Sequence, residues 1–510
     1  MGESILSVFT RQGQTFIRRP LIHRASVPTL LLVFTGGVNL ILIQWVLVKE
    51  MTTLLLGTEL IILLVSVSYF AGVSVGYALA RDIRRTWLVP LALMTLVLHL
   101  TLPIWFRLIV TGLTSINAYG AAFLLLPLLA PFVVSAFYSV FLPLFVDGGD
   151  GTIGELYAAE IAGSISGILI LVVFGGFGLQ TVYTLYSVSL VCLLFALGVR
   201  TRWLVAAALF SSGWLIALPA LNFWSNTRWY QQIHGLPDGS QTLFSQYSPY
   251  QKVDVIETPD GTRYLFLDGL SHFDSSDNRL NVMMGDIPAR LLSPTRALVL
   301  GAGAMQTEQM IAAHNAERVT TVEIDPVVVE AGVRYFAAFN QMDTLTNRQV
   351  VIDDAKHFIA ASSEGYDLIV TDVPAAYSIQ SAYFYSITFY EALRHRLTPN
   401  GIVAVNLTSP FSRDDPISRR IVASLFAVYN DVIVITPGSV GWSVAYAADR
   451  LPFTSAQVEA SLRDVGETDF IAYQATAVRA LVGDAAPITL NSLEIVLDTS
   501  LRWIRNRIED

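Results

Sequence analysis

Cysteine is almost missing from this 510-residue chain: Cys192 stands alone, inside an apolar run. A disulfide within the chain and a cysteine-built metal cluster are both excluded. Charged residues are scarce at 14%, and the net charge is −9. A nucleic-acid partner is therefore not expected. No lysine follows the chain's Gly301-Ala-Gly303 turn in the manner of a phosphate-gripping loop, which disfavours ATP hydrolysis. No cleavable signal peptide is expected, because the stretch up to Pro28 is polar and basic, with Arg11, Arg18, Arg19 and Arg24.

Apolar sequence is what the chain has in excess, with 53% hydrophobic residues and a mean hydropathy of +0.53. The excess lies in the first 222 residues, so two modules are expected, one in lipid and one in water. Runs near 28–48, 53–80, 86–106, 119–146, 152–176, 178–199 and 202–222 are each long enough to span a bilayer, giving about seven helices over 1–222. Gly72-x-x-x-Gly76 and Gly163-x-x-x-Gly167 permit close helix approach. Glu59 and Glu160 fall inside the second and fifth runs. An acid there is either a polar site or part of a proton-linked path or, more blandly, an interhelical hydrogen bond or an interfacial position. Asn39 and Gln44 read as packing polar groups.

Residues 223–250 read as an interfacial linker, with Trp224, Trp229 and Tyr230 suited to a membrane–water boundary. Residues 251–295 read as a small β segment, a hairpin turning on Pro259-Asp260-Gly261. From 296 to 510 strands alternate with helices. Ala297 to Leu300 is a buried strand that enters Gly301-Ala-Gly303; a helix follows, then a strand from Val319 to Val322 ending in Glu323 and Asp325. That is the first βαβ unit of a nucleotide-binding sheet: the glycines let a ligand approach the backbone, and the acid accepts ribose hydroxyls. Strands at Val350–Ile352, Tyr366–Val370 and Ile402–Asn406 predict a mostly parallel sheet with helices on both faces. Glu323, Asp354 (in Asp353-Asp354-Ala355) and Asp372 stand at successive strand ends, the edge where such sheets bind ligands. A lone acid there is commonly a helix cap; three behind a glycine turn favour a site. Glu323 suits the ribose, Asp354 an adenine amino group and Asp372 the reacting end.

These residues resemble the spermidine synthase (polyamine aminopropyltransferase) family. The resemblance runs from about Ser248 to Tyr446 and includes Ser248-Pro-Tyr250-Gln251, Leu267-Asp268-Gly269, Val322-Glu323-Ile324-Asp325, Asp354-Ala355, Asp372 and FYEALRHRLTPNGIVAVNL. The membrane half, with Tyr157-Ala-Ala-Glu160, resembles the multi-spanning region fused to such domains in some bacterial proteins. The resemblance implies a multi-pass α-helical membrane domain fused to an α/β Rossmann-like domain of the S-adenosylmethionine-dependent transferase type. It also implies that Gln251, Gly301, Gly303, Glu323, Asp353, Asp354 and Ala355 bind the donor, and that Asp372 is catalytic. In the family a neutral amine attacks the carbon next to the sulfonium of decarboxylated S-adenosylmethionine, and methylthioadenosine leaves. The amine, with a pKa of roughly 10, must first lose a proton, which a carboxylate helps arrange.

The departures from the family pattern fall on the cation-binding half. Ala304 stands where the family's glycine turn carries an acid for the donor's ammonium, and Ala375 where a second acid receives the polyamine. His272, Asn281 and Met283 replace the family's glutamine, tyrosine and glutamate. Alanine at 304 spares the carboxylate of intact S-adenosylmethionine from repulsion, so the co-substrate is expected to be either that molecule or its decarboxylated form, with no metal. His272 is a candidate base or carboxylate ligand in a polar loop, and Tyr377, Tyr383 and Tyr385 are candidate pocket residues. Methyl transfer, donor lysis without acceptor, and a nucleoside-sensing transporter remain the alternatives. The expected partners are the lipid bilayer, a small-molecule acceptor such as an amine, and, since the family often dimerises, a second copy. The expected location is a bacterial-type inner membrane. The basic tail, the Arg81–Arg85 loop, Arg200 and Arg202 put the N-terminus in the cytoplasm, and seven spans then put the catalytic half outside. Adenosine donors are made in the cytoplasm, which argues for the opposite placement.

Overall fold

The computed structural model describes residues 25–55, 59–80, 82–141, 143, 152–174, 178–196, 199–301, 303–341, 346–438 and 441–509. Arg11, Arg18, Arg19, Arg24, Arg81 and Ala302 lie outside the described residues. The N-terminal half is a bundle of apolar helices: α1 (Val27–Leu55), α2 (Glu59–Ala80), α3 (Leu88–Leu100), α4 (Leu102–Ser115), α5 (Tyr119–Ser139), α6 (Ile153–Phe174), α7 (Leu179–Ala196) and α8 (Thr201–His234). Among the described residues α1, α2, α6 and α8 are each long and apolar enough to cross a membrane, and α3 with α4 adds a fifth if the pair is one span. That is fewer than the seven runs in the sequence. The apolar stretches of α5 and α7, Leu125–Ser139 and Leu179–Phe195, are shorter. The run read as 86–106 breaks after Leu100 and bends by 63°. Pro103, at the start of α4, has no N–H to continue the preceding helix.

Both glycine pairs sit at helix contacts. A Cβ on Gly163 would lie 1.9 Å from the Phe34 carbonyl of α1, and one on Gly72 would lie 2.3 Å from the Phe132 carbonyl of α5. Backbones this close exclude any side chain, which is how small residues hold apolar helices together without a hydrophobic driving force. Glu160 accepts 2.9 Å hydrogen bonds from Tyr77 of α2, the interhelical role. Glu59 is the first residue of α2, not an interior one, and its charge suits a helix N-terminus.

The bundle has a direction. The C-terminal ends of α1 and α8 meet the rest of the chain, whereas Ala25, just before α1, donates to Glu155 at the start of α6. Arg202 and Asn226 are 24 residues apart along α8, about 36 Å at 1.5 Å per residue. The basic residues Arg200 and Arg202 thus lie at the end opposite the C-terminal half.

The stretch 223–250 is not a linker. Helix α8 runs on to His234, and Gln241–Tyr247 is strand β1 of a four-stranded antiparallel sheet with β2 (Lys252–Glu257), β3 (Arg263–Leu267) and β4 (Leu270–Asp274). Asn222, Ser225, Asn226, Trp229 and Tyr230 form a buried stripe at helical spacing. Their polarity mimics a loss of membrane character, yet they face the sheet: Asn226 and Tyr230 donate to Asp254 of β2 at 3.2 and 2.6 Å. Only Trp224 of the three expected boundary aromatics is exposed.

Beyond helical turns at 279–292 comes a second sheet, eight strands among the described residues, in the order β12-β10-β11-β9-β8-β5-β6-β7. Strands β5 (Arg296–Leu300), β6 (Arg318–Glu323), β7 (Arg348–Ile352), β8 (Tyr366–Thr371) and β9 (Leu397–Asn406) are parallel. Strands β10 (Asp431–Pro437), β11 (Val444–Ala448) and β12 (Phe470–Tyr473) add an antiparallel wing absent from the sequence reading. The sheet is thus a mixed, Rossmann-type one. Its central strands are buried on both sides, which explains why β5 reads as an unbroken apolar run.

Candidate active site

The tips of β8, β5, β6 and β7 stand side by side, and the ladder continues past their ends. Asp372 N donates to Leu300 O (2.9 Å), Gly301 N to Val322 O (2.9 Å) and Asp353 N to Glu323 O (3.1 Å). The three acids expected at one edge therefore do share it. Gly301 has φ +94°, and a Cβ there would lie 2.1 Å from the Asp372 carbonyl. Only glycine allows the turn to cross beside Asp372. Gly303 is also left-handed, at φ +48°.

Each acid has a distinct environment. Asp372 is half-buried, and Asn406 at the end of β9 donates to its Oδ1 at 2.9 Å. Burial pushes its carboxyl above the ordinary carboxylate range, and the Asn406 bond partly offsets the rise. Glu323 is buried and accepts from Asp325 N at 2.9 Å. Asp354 caps the helix Ala355–Ala361, accepting from Lys356 N at 2.8 Å. The bland role of a strand-end acid holds for it, and its second oxygen is not used by that cap. Asp353 pairs with His357 at 2.8 Å.

Sequence reasoning assigned no role to Asp325 or Asn406. Asp325 is a fastener: it accepts from Val327 N at 3.0 Å, Ser248 Oγ at 2.7 Å and Gln251 Nε2 at 3.2 Å. It clamps the Ser248–Gln251 turn of the small sheet onto the tip of β6. The signal was present in Val322-Glu323-Ile324-Asp325, since an aspartate before Pro326 is a helix-capping position.

His272 lies in strand β4, not in a loop, and is half-buried. Burial pushes its pKa down to about 4, so it is neutral at pH 7 and brings no positive charge to a carboxylate. Tyr377 is half-buried, and the nearby Asp268 helps burial raise its pKa. Tyr385 is fully buried and donates to the Val373 and Pro374 carbonyls at 2.9 and 3.1 Å, pinning the loop after Asp372. Tyr383 faces Lys356, whose ammonium is 4.4 Å from its ring centre. Ala304 and Ala375 are buried, and Met283 lies in the core. Asn281 donates to Thr307 at 2.9 Å.

Residues 279–450 match the spermine/spermidine synthase domain. The C-terminal half thus contains a stretch similar to the spermine/spermidine synthases. A polyamine aminopropyltransferase of Oceanobacillus iheyensis is 30% identical over 179 residues, 34% of this chain. The chain spans about a third (35%) of that relative's length. A second, from Nitrosomonas europaea, is 27% identical over 255 residues, covering 48% of this chain and 78% of the relative. Among solved structures, the spermidine synthase of Thermotoga maritima is similar over 48% of this chain and 84% of that one, at 19% identity and a TM-score of 0.37.

Proposed function

We propose that this aminopropyltransferase-like domain moves the amine-bearing arm of an S-adenosylmethionine-type donor onto a small nucleophile, beside a membrane that the helical half crosses. An amine nitrogen bonds to the carbon next to the sulfonium. The C–S bond breaks, its electron pair stays on sulfur, and methylthioadenosine leaves. The amine's proton passes to the Asp372 carboxylate. The observation that carries this reading is the single edge shared by Asp372, Glu323 and Asp354 around the Gly301 turn. The donor takes either form, with the carboxylate or without it; Ala304 and Ala375 favour the intact molecule. Membrane insertion is supported by the outward-facing Phe70, Val172, Phe195 and Ile216 of α2, α6, α7 and α8, all exposed on the isolated chain.

Mass spectrometry of purified protein given each donor, with and without putrescine, tests the chemistry. Methylthioadenosine that requires an acceptor supports transfer, and its release without one means lysis. S-adenosylhomocysteine as product overturns the reading in favour of methyl transfer.

Sidedness follows from donor supply. We place the catalytic end in the cytoplasm, which leaves Arg200 and Arg202 outside, against the charge rule. A C-terminal alkaline phosphatase fusion, active only outside the cytoplasm, is expected to be inactive. An active fusion puts the domain where no adenosine donor is made and defeats the donor assignment.

A further inference from the structure

The first helix enters the catalytic half. Lys49, 22 residues into α1, donates to the Pro249 carbonyl at 3.1 Å, across 200 positions of sequence. Pro249 belongs to the Ser248–Gln251 turn that Asp325 clamps to the sheet edge. Four residues further along α1, the Thr53 carbonyl packs so closely on Gly269 that a Cβ there would lie 2.4 Å away. Helix α1 therefore lies against both family-like segments of the small sheet, Ser248–Gln251 and Leu267-Asp268-Gly269.

The ammonium lies beside the turn, near two acids that the chain keeps. Asp268 and Asp325 are within its electrostatic reach. Both carboxylates already serve other donors: Asp325 as above, and Asp268 through Lys252 N at 2.8 Å. Asp268 in turn faces Tyr377, on the loop that leaves Asp372. Lys49 thus stands beside the Ser248–Gln251 turn that Asp325 holds against the sheet edge. The chain has three lysines, Lys49, Lys252 and Lys356. Lys252 is buried against Asp254 at 3.0 Å, and Lys356 packs on Tyr383. Pro249 takes one of the three donors of the Lys49 ammonium, which leaves two beyond that bond.

We propose that Lys49 is a specificity-determining residue that binds the carboxylate of a substrate in this cleft, so that the membrane helix supplies part of the site. This rests on the reading above. A dicationic polyamine is repelled by the Lys49 ammonium. A carboxylate-bearing substrate meets a charge-assisted hydrogen bond. The carboxylate belongs either to intact S-adenosylmethionine or to an amino-acid-like acceptor.

Calorimetry on the full-length protein in nanodiscs separates these cases, using intact donor, decarboxylated donor and methylthioadenosine, which has no arm. Lys49→Met is expected to weaken intact donor by about tenfold or more while leaving methylthioadenosine unchanged, and Lys49→Arg to retain most of the affinity. If the carboxylate is the acceptor's, Lys49→Met instead raises the KM for acids bearing an amine and spares both donors. Equal weakening of methylthioadenosine, or no change in any affinity or KM, overturns the proposal. Wild-type protein that binds none of the three nucleosides defeats the donor reading itself, whatever Lys49 does.

Discussion

Replacing Asp372 with asparagine is expected to lower turnover by about 10²–10⁴-fold while methylthioadenosine affinity stays within a few-fold. The substitution keeps the Oδ1 that accepts from Asn406, so the side chain holds its place at the tip of β8. What it loses is the basic oxygen that takes the amine's proton. The proposed nucleoside ligands, Glu323 and Asp354, stand at the ends of β6 and β7, on other strands, and the backbone ladder that aligns the tips does not use the Asp372 side chain. Steady-state rates paired with binding titrations check the split. A variant that loses affinity and rate together would make Asp372 a donor ligand instead of a base.

The pH profile gives the same residue a second test. Burial raises the Asp372 carboxyl above the ordinary aspartate value of about 3.9, and the base form exists only above that raised pKa. The rate is therefore expected to fall as pH drops through a limb higher than an exposed carboxylate would give. Asn406 stabilises the charged form, so Asn406→Leu should move that limb to still higher pH. A limb that stays put in this variant would assign the titration to another group.

Much of this edge was legible in the sequence because its parts are local. A buried strand, two glycines and an acid some twenty residues on define one βαβ unit, and Asp354 and Asp372 repeat the strand-end position. The misreadings share a physical cause, which is that the partner lay far away in sequence. Asn222 and Asn226 looked like the end of an apolar run because the sheet that meets their polarity comes later in the chain. The antiparallel wing β10–β12 lacks intervening strand–helix alternation between β10 and β11, so the rule that found the parallel strands did not extend to it. Lys49 drew no reading from the sequence, because Pro249, which it contacts, lies 200 positions away.

The residue after Lys49 supports the second large prediction. Glu50 and Arg107, on α1 and α4, form a fully buried ion pair at 2.6 Å. Tyr247 of β1 donates its hydroxyl to the same carboxylate. Arg107 also donates to Asn222 Oδ1 at 2.6 Å and Ser225 Oγ at 3.1 Å on α8. One cluster thus ties three helices to the small sheet. Glu50→Gln keeps the size of the side chain but leaves the guanidinium buried without a counter-charge, a loss of about 3–5 kcal/mol for a pair of this kind. Thermal unfolding should show the earliest transition moving well down in temperature, and Glu50→Gln combined with Arg107→Gln should recover part of the loss, because the orphaned charge is gone. The strand tips are carried by the large sheet, so methylthioadenosine binding is expected to survive below that transition. Lys49 is carried by the loosened helix, so discrimination between intact and decarboxylated donor should weaken in the same variant. An unchanged transition with unchanged discrimination would mean that α1 is held to the catalytic half by other contacts, and that the ion pair is only a way of satisfying two buried charges.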